Sequence, residues 1–229
     1  MKRFYKEAEA RAAEDGWEIL LDGRPVKTPA RGALILPNAG LAASVAAEWA
    51  AQSEEIAPRS MPFTGLANAA IDRVAADAEN YVRSLTVYGE TDLLCYRAEG
   101  PESLVAAQAA AWDPILAWAR RRYDVDFEIV FGILHRAQPG ETLARLGKAI
   151  ATRDNFQLAA MTQLVTISGS LLIALALAEG GIDLDQAWAA ASADEAWQAA
   201  HWGEDLDASR VLEARRQDFA AAFAFLGLL

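Results

Sequence analysis

The least polar stretch of the chain runs from Leu158 to Leu177 and contains no charged residue. Its apolar side chains fall on every side of a helix, a pattern typical of either a membrane span or the buried central helix of a bundle. The unbroken apolar part, Leu171 to Ala178, is shorter than the ~20 residues that a bilayer requires. We therefore predict a buried central helix that ends at Gly180-Gly181. At Gly169, which has no side chain, we expect a neighbouring helix to pack closely.

The first 60 residues combine short apolar runs with turn signals. Residues 17–21 form the first predicted strand, and Asp22-Gly23 is typical of a tight hairpin turn because both residues accept a positive φ. Residues 24–27 would form the returning strand and residues 33–36 a third one. From Leu41 the apolar residues recur every fourth position through Trp49, which predicts an amphipathic helix.

Helical periodicity dominates the rest of the chain. The two prolines within Ala57–Pro62 mark a predicted boundary, so we expect an α+β protein with a β-rich domain at 1–60 and a helical domain at 61–229. An alternating pattern over residues 125–131 predicts one strand inside the helical region, and this strand could join the N-terminal sheet. A helix capped by Asp183 is predicted to continue to about Trp202.

Charge and cysteine content limit the classes of partner and compartment. The formal net charge is -11, which would repel nucleic acid and anionic membranes and attract a basic protein. A single cysteine, Cys95, excludes an intrachain disulfide and fits a reducing compartment. The first residues contain no apolar signal core, and their acidic residues argue against a transit peptide. We therefore expect a bacterial cytoplasmic protein.

Catalytic and metal-binding patterns are scarce. Neither a phosphate-binding loop of the GxxxxGK[ST] type nor a GxGxxG motif occurs. The sequence does not decide whether Cys95 forms a catalytic pair with His135 or His201, although a lone cysteine with apolar neighbours is more often a packing residue. His201 near Glu204 and Asp205 is a weak metal signal, since a solvated surface gives the same pattern. We expect no cofactor, no metal and no catalysis.

One helical face carries an unusual mixture of side chains. Ala191, Glu195, Gln198 and Trp202 follow one another at spacings of four, three and four residues, which places them on one side of a helix. Two interpretations are open. Either Trp202 packs inward while Glu195 caps a helix or pairs with an arginine, or these residues form a patch that recognises another protein.

Several short motifs occur in a fixed order along the chain. They are FYK at 4–6, LDGRPVKTP at 21–29, EWAAQ at 48–52, NAAID at 68–72, ETDLLCYRA at 90–98, WDP at 112–114, SGS with ALAL at 168–177, and EAWQ with WG at 195–203. In order and spacing this set resembles the ATP synthase assembly chaperones of the ATP-twelve type. Such chaperones hold the free alpha subunit of the catalytic head of the F-type ATPase.

The resemblance implies a small N-terminal β-containing domain, a larger helical domain and a non-catalytic role. It also implies that the acid of EAWQ, Glu195, is functionally important, and we take Glu195, Gln198 and Trp202 as candidate client-binding residues. Secondary candidates are Trp49, Glu90, Asp92 and Arg97. The implied partner is the alpha subunit, with no nucleic acid, no membrane insertion and a monomeric state favoured. Relatives in eukaryotes would be mitochondrial.

A rival hypothesis is an enzyme or small-ligand-binding protein that uses the cleft between the two domains. The motif ETDLLCYR would then be its functional loop. That loop offers Glu90, Asp92, Cys95 and Arg97.

Overall fold

An antiparallel sheet near the N-terminus and ten α-helices make up the chain, which a computed structural model describes over residues 1–229. The predicted α+β class is confirmed. Two compact units are present. The first comprises residues 1–78, 154–160 and 224–229, and the second comprises residues 79–153 and 161–223. The domain division at residue 60 stays a prediction.

The sheet of the first unit has four strands. They are β1 Ala8–Ala13, β2 Gly16–Leu21, β3 Arg24–Pro25 and β4 Ile35–Leu36. Strand β2 pairs antiparallel with each of the others, in a register that places Ala8 opposite Leu21 and Trp17 opposite Leu36. Asp22 and Gly23 both have positive φ, 48° and 76°, as the hairpin prediction required.

Strand β1 was not predicted from the sequence. Its residues, AEARAA, alternate in exposure, but alanine and glutamate have little preference for strands. The long register with β2 holds the segment in place. The helix α1, Ala39–Ala50, buries Leu41 and Val45 and packs on β1 and β2. Its N-terminus is capped by Asn38, whose side chain accepts a hydrogen bond from the Leu41 amide.

The remaining α-helices follow one another along the chain, with the longest connections on either side of α4. They are α2 Pro62–Ala69, α3 Ala78–Glu90, α4 Glu102–Tyr123, α5 Gly140–Ala151, α6 Asn155–Ser168, α7 Leu171–Ala178, α8 Leu184–Ala191, α9 Ala193–Trp202 and α10 Leu206–Leu226. A π-helical turn, Ala70–Val74, and two 3-10 turns, Pro58–Ser60 and Leu93–Cys95, complete the helical structure. None of these helices combines the length and hydropathy needed to cross a membrane.

The prediction of one continuous central helix over 158–177 was wrong. The segment is divided between α6 and α7, because Gly169 has a φ of +70° and Ser170 is extended. The Ser170 hydroxyl accepts a hydrogen bond from the Ile173 amide at 3.0 Å and caps α7. Burial was predicted correctly for α7, since every residue from Leu171 to Leu177 is buried. The apolar pattern therefore indicated the burial but not the break.

The reason for the glycine at position 169 also differs from the prediction. A Cβ atom there would have the Cβ of Leu93 as its nearest neighbour, 4.0 Å away, which is an ordinary contact. No helix packs closely at this point, and the positive φ is what requires glycine. The close approach occurs instead at Gly89 of α3, where a Cβ would lie 3.3 Å from Leu143 and 3.4 Å from Leu146.

Two further predictions were wrong for local reasons. The helix starting after Asp183 ends at Ala191, since Ser192 leaves helical geometry with a φ of -117° and a ψ of 22°. The strand expected over 125–131 is limited to β6, Val130–Phe131, which pairs in parallel with β5, Tyr96–Arg97. The strand belongs to this separate two-stranded sheet and not to the N-terminal one. It is short because the amide and carbonyl of Glu128 bond to the side chain of Gln138 instead of to a neighbouring strand.

Candidate functional site

A groove of about 460 Å³ lies in the second unit, around the break between α6 and α7. One wall comes from α9 and another from α10. The residues that line the groove are Leu93, Trp112, Thr166, Ile167, Ser168, Gly169, Ala191, Ala193, Asp194, Glu195, Gln198 and Arg215. Two of the three client-binding candidates, Glu195 and Gln198, are thus brought together at one groove.

Glu195 forms an ion pair at this groove. Its Oε1 accepts a hydrogen bond from Nη1 of Arg215 at 3.3 Å. The other end of the guanidinium donates to the carbonyl of Ile167 at 2.8 Å, one of the carbonyls left unpaired where α6 ends. The Glu195 side chain is 42% exposed. The acid therefore has the arginine partner that one interpretation required, and it still presents carboxylate oxygen to solvent.

Trp202 does not pack inward. Its side chain is 75% exposed, and its ring meets the edge of Trp197 at a centroid distance of 5.4 Å. Trp197 stacks on His201 at 4.0 Å, and its indole N–H donates to the hydroxyl of Ser103 at 3.2 Å. The C-terminal end of α9 thus carries an aromatic cluster of Trp197, His201 and Trp202, with one indole facing solvent.

The split at Ser192 removes Ala191 from the predicted face. Ala191 belongs to α8 and lines the groove from that helix. Gln198 is exposed. The helical face predicted from the sequence therefore contains only the three residues that lie on α9, namely Glu195, Gln198 and Trp202.

Two contacts at the candidate site were not predicted from the sequence. Arg215 pairs with Glu195, and the signal for this pairing was an arginine within the helical apolar pattern of α10. The neighbouring Asp194 accepts a hydrogen bond at 2.8 Å from the amide of Gln108, whose oxygen accepts from the amide of Ala98 at 2.8 Å. These bonds connect the start of α9 to α4, and nothing in the local sequence indicated them.

The secondary candidate Asp92 is fully buried, so it cannot be a surface contact. Its carboxylate accepts hydrogen bonds from the Ser170 hydroxyl at 2.7 Å and from the amides of Leu172 and Leu94 at 3.0 and 3.1 Å. Burial raises the pKa of Asp92 to about 6, against the lowering effect of these donors. The residue joins the N-terminal turn of α7 to the segment before β5.

Arg97 is buried as well. It donates to Asp113 at 2.7 Å and to the carbonyl of Leu94 at 3.0 Å, and its guanidinium lies 5.0 Å from the ring centre of Trp112. These contacts make it a structural residue and not a client contact.

Glu90 and Trp49 are only half buried. Glu90 lies 3.5 Å from Nε2 of His135. Trp49, in the first unit, packs against Tyr5 at 5.7 Å between ring centres and lines a groove of about 660 Å³ with Phe4 and other residues. Its indole nitrogen is buried and has no hydrogen-bond partner. Both side chains retain some access to solvent.

The loop of the rival enzyme hypothesis is packed into the interior. Cys95 is fully buried, and burial raises the pKa of its thiol to about 12, which suppresses the thiolate that a nucleophile needs. His201 hydrogen-bonds through Nδ1 to the carbonyl of Trp197 at 2.8 Å. No three histidine, cysteine, aspartate or glutamate side chains are grouped to hold a metal ion.

A half-exposed ion pair at a helical groove and an exposed indole at the end of the same helix α9 are typical of proteins that bind other proteins. Comparison with known families agrees with this class. A family profile described as ATP12 chaperone protein matches residues 2–120. The chain belongs to the ATP12 chaperone family, and it is a chaperone and not an enzyme.

Individual relatives extend the match over the whole chain. Protein atp12, mitochondrial, of Schizosaccharomyces pombe is 25% identical over 222 residues, which cover 92% of this chain and 76% of that protein. The crystal structure of Atp12 from Paracoccus denitrificans is 39% identical with a TM-score of 0.93, and the match covers 99% of this chain and 97% of that one. A candidate chaperone from Agrobacterium tumefaciens is 41% identical with a TM-score of 0.95, covering 99% and 85%.

Proposed function

We propose that this chaperone binds the unassembled alpha subunit of the F-type ATP synthase catalytic head and that Glu195, Gln198 and Trp202 contact it. The observation that carries the proposal is the position of Glu195. It lies at a groove, is oriented by Arg215 at 3.3 Å and remains 42% exposed. A carboxylate in this state can accept a hydrogen bond from a client without losing its own partner.

Trp202 would supply the apolar part of the contact. Its indole is mostly exposed and meets the ring of Trp197 edge-on, so most of its apolar surface is open to a client. Large aromatic side chains beside polar groups are frequent anchors of protein interfaces. Gln198, exposed on the same helix, would add an adaptable hydrogen bond.

The proposed role sets limits on the affinity. A free alpha subunit exposes surface that later contacts beta subunits, and covering that surface prevents wrong association. The beta subunits must then displace the chaperone, so the complex has to be of moderate strength. No nucleotide is needed for this exchange. The compartment that we propose is the bacterial cytoplasm, with the chaperone acting as a monomer.

The test uses the purified full-length chain and three potential partners. These are the free alpha subunit, the assembled catalytic head and an unrelated protein of similar size, each followed by calorimetry and size-exclusion chromatography. We expect a complex with the free alpha subunit alone, and its release when beta subunits are added. Equal binding to all three partners, or to none, would reject the proposal.

A further inference from the structure

A closed loop in the second unit runs from Glu128 to Gln138. The side-chain amide of Gln138, which is buried, bonds to both main-chain groups of Glu128. Its oxygen accepts from the amide at 3.0 Å, and its nitrogen donates to the carbonyl at 2.9 Å. These two hydrogen bonds resemble those between paired strands, and they close the base of the loop. We call residues 128–138 the closed loop.

Further contacts hold the body of the closed loop. Strand β6 pairs with β5, and the amide of Gly132 continues the ladder by donating to the carbonyl of Arg97 at 2.9 Å. On the returning side, Nδ1 of His135 lies 2.9 Å from the hydroxyl of Tyr96, and its Nε2 lies 3.5 Å from Glu90. The tip is therefore presented in a defined position.

The tip carries three large apolar side chains in solvent. Phe131 is 60% exposed, Ile133 97% and Leu134 78%. Single exposed apolar residues are normal, but contiguous ones on a surface mark sites of interaction. The hydrogen bonds that fix the loop are independent of these side chains, so the fold does not explain why they are apolar.

Acidic groups flank the tip. The carboxylate of Glu99 lies beside Gly132, within 3.4 Å of the position that a Cβ atom would take there. Glu99 and Glu128 are exposed, and neither has a cation within ion-pair distance. The returning side of the loop also carries one exposed cation, Arg136. On the side of Glu99 and Glu128, the apolar centre with its unpaired acids is complementary to an apolar depression with basic residues at its rim.

We propose that Phe131, Ile133 and Leu134 form a second client-contact surface, which docks into an apolar depression with a basic rim on the client protein. This inference rests on the proposed function, since the client is the alpha subunit. An anionic membrane is a poorer partner because the chain carries a net charge of -11. A second copy of the chain is a poorer partner as well, because two chains that each carry a net charge of -11 repel one another.

Ile133→Ser combined with Leu134→Ser tests the apolar part. Both side chains are exposed, so we expect unchanged thermal melting, and we expect the affinity for the free alpha subunit to fall by about tenfold or more. The matched control is Val87→Ser, which removes a 60% exposed apolar side chain from α3 and should bind as the wild type does. Calorimetry with the full chain provides both affinities.

Glu99→Lys and Glu128→Lys test the acidic part separately, and each should weaken binding most at low salt. If the wild type binds the alpha subunit and the double serine variant binds equally well, this inference alone is wrong. If the wild type does not bind, the proposed function is wrong and the inference fails with it. Two further results would overturn the client assignment. One is that the wild type floats with phosphatidylglycerol vesicles and the double variant does not. The other is that the wild type forms a dimer and the double variant does not.

Discussion

Glu195 pairs with an arginine, as one interpretation of the sequence required, and it also remains open to solvent. It has an arginine partner, Arg215, at 3.3 Å, and both side chains keep about two-fifths of their surface exposed, 42% and 40%. Ion pairs at such exposure contribute at most about 1 kcal/mol to stability. At the scale of the residue, the acid thus keeps carboxylate surface exposed, and its ion pair adds little to stability.

We expect Glu195→Ala to leave the melting temperature nearly unchanged and to weaken binding of the alpha subunit strongly. Loss of one partner from a desolvated charged hydrogen bond costs about 2–5 kcal/mol. Gln198→Ala should have a smaller effect because a neutral hydrogen bond is weaker. Thermal melting and calorimetry on the same preparations measure both quantities.

The control is Glu79→Ala, which removes an exposed acid from the first turn of α3 and should leave binding intact. A large fall in melting temperature for Glu195→Ala would show that the acid is structural. Normal melting with normal binding would remove it from the client site.

Asp92 provides a prediction about pH. Its pKa is about 6 in the folded protein because of burial, and about 4 in an unfolded chain. Between these two pH values the folded state keeps a proton that the unfolded state has lost. The stability that this group contributes is therefore complete below about pH 4, falls as the pH rises to about 6, and is constant above. The difference corresponds to about 3 kcal/mol.

Asp92→Asn should remove this dependence. Urea unfolding of both proteins from pH 4 to pH 8 gives the difference in unfolding free energy, wild type minus variant. We expect that difference to decrease between pH 4 and pH 6 and then to level off. A difference that is flat, or that increases over this range, would contradict a raised pKa.

At the scale of the element, the break between α6 and α7 depends on backbone geometry at Gly169. Its φ of +70° lies in the left-handed region, and a Cβ atom would have space, with its nearest neighbour 4.0 Å away. The cost of a side chain there is conformational and not steric. The break shapes the groove and leaves the Ile167 carbonyl for Arg215.

We expect Gly169→Ala to lower the free energy of unfolding by about 1–2 kcal/mol, the cost of placing an L-residue in this conformation. Gly65→Ala is the matched control, because Gly65 is helical, exposed and has no neighbour within 4 Å of a new Cβ. It should be neutral or stabilise by up to about 1 kcal/mol. Equal chemical denaturation curves for the two variants would refute this account.

At the scale of the whole molecule, the first unit needs three separate segments of the chain. Phe225 is fully buried, and its ring lies 5.9 Å from that of Phe63 and 6.5 Å from that of Phe156. The side-chain amide of Asn38 donates to the carbonyl of Leu228 at 2.6 Å. The N-terminal sheet and its helices are thus completed by residues distant in sequence.

Two outcomes follow for this unit. Phe225→Ala should lower the free energy of unfolding by about 3–5 kcal/mol because it leaves a cavity. Leu206→Ala, at an exposed position of the same helix, should have almost no effect in the same denaturation experiment.

A fragment of residues 1–78 should fail to fold, as judged by circular dichroism and thermal melting. A cooperative transition in that fragment would show that the later segments are dispensable.

The sequence by itself determined the features that depend on neighbouring residues. The Asp22-Gly23 turn follows from the positive φ that these residues accept, and Asp183 caps α8 through a capping box with Gln186. The burial of residues 171–177 follows from their uninterrupted apolar character. Glu195, Gln198 and Trp202 share a helix because their spacing is helical.

Only the tertiary structure decided which of these residues reach the surface and where the helices end. Asp92 and Arg97 are buried because partners far along the chain, such as Ser170, satisfy their polar groups. Trp202 faces solvent while Trp197 packs, although both lie on α9. Strand β1 exists through its pairing with β2, and the groove beside Glu195 has Arg215 of α10 in its lining. The burial of Asp92 and the pairing of Glu195 with Arg215 depend on contacts between distant segments. Strand β1 depends on its pairing along the whole of the neighbouring strand β2. Local patterns encode neither kind of contact.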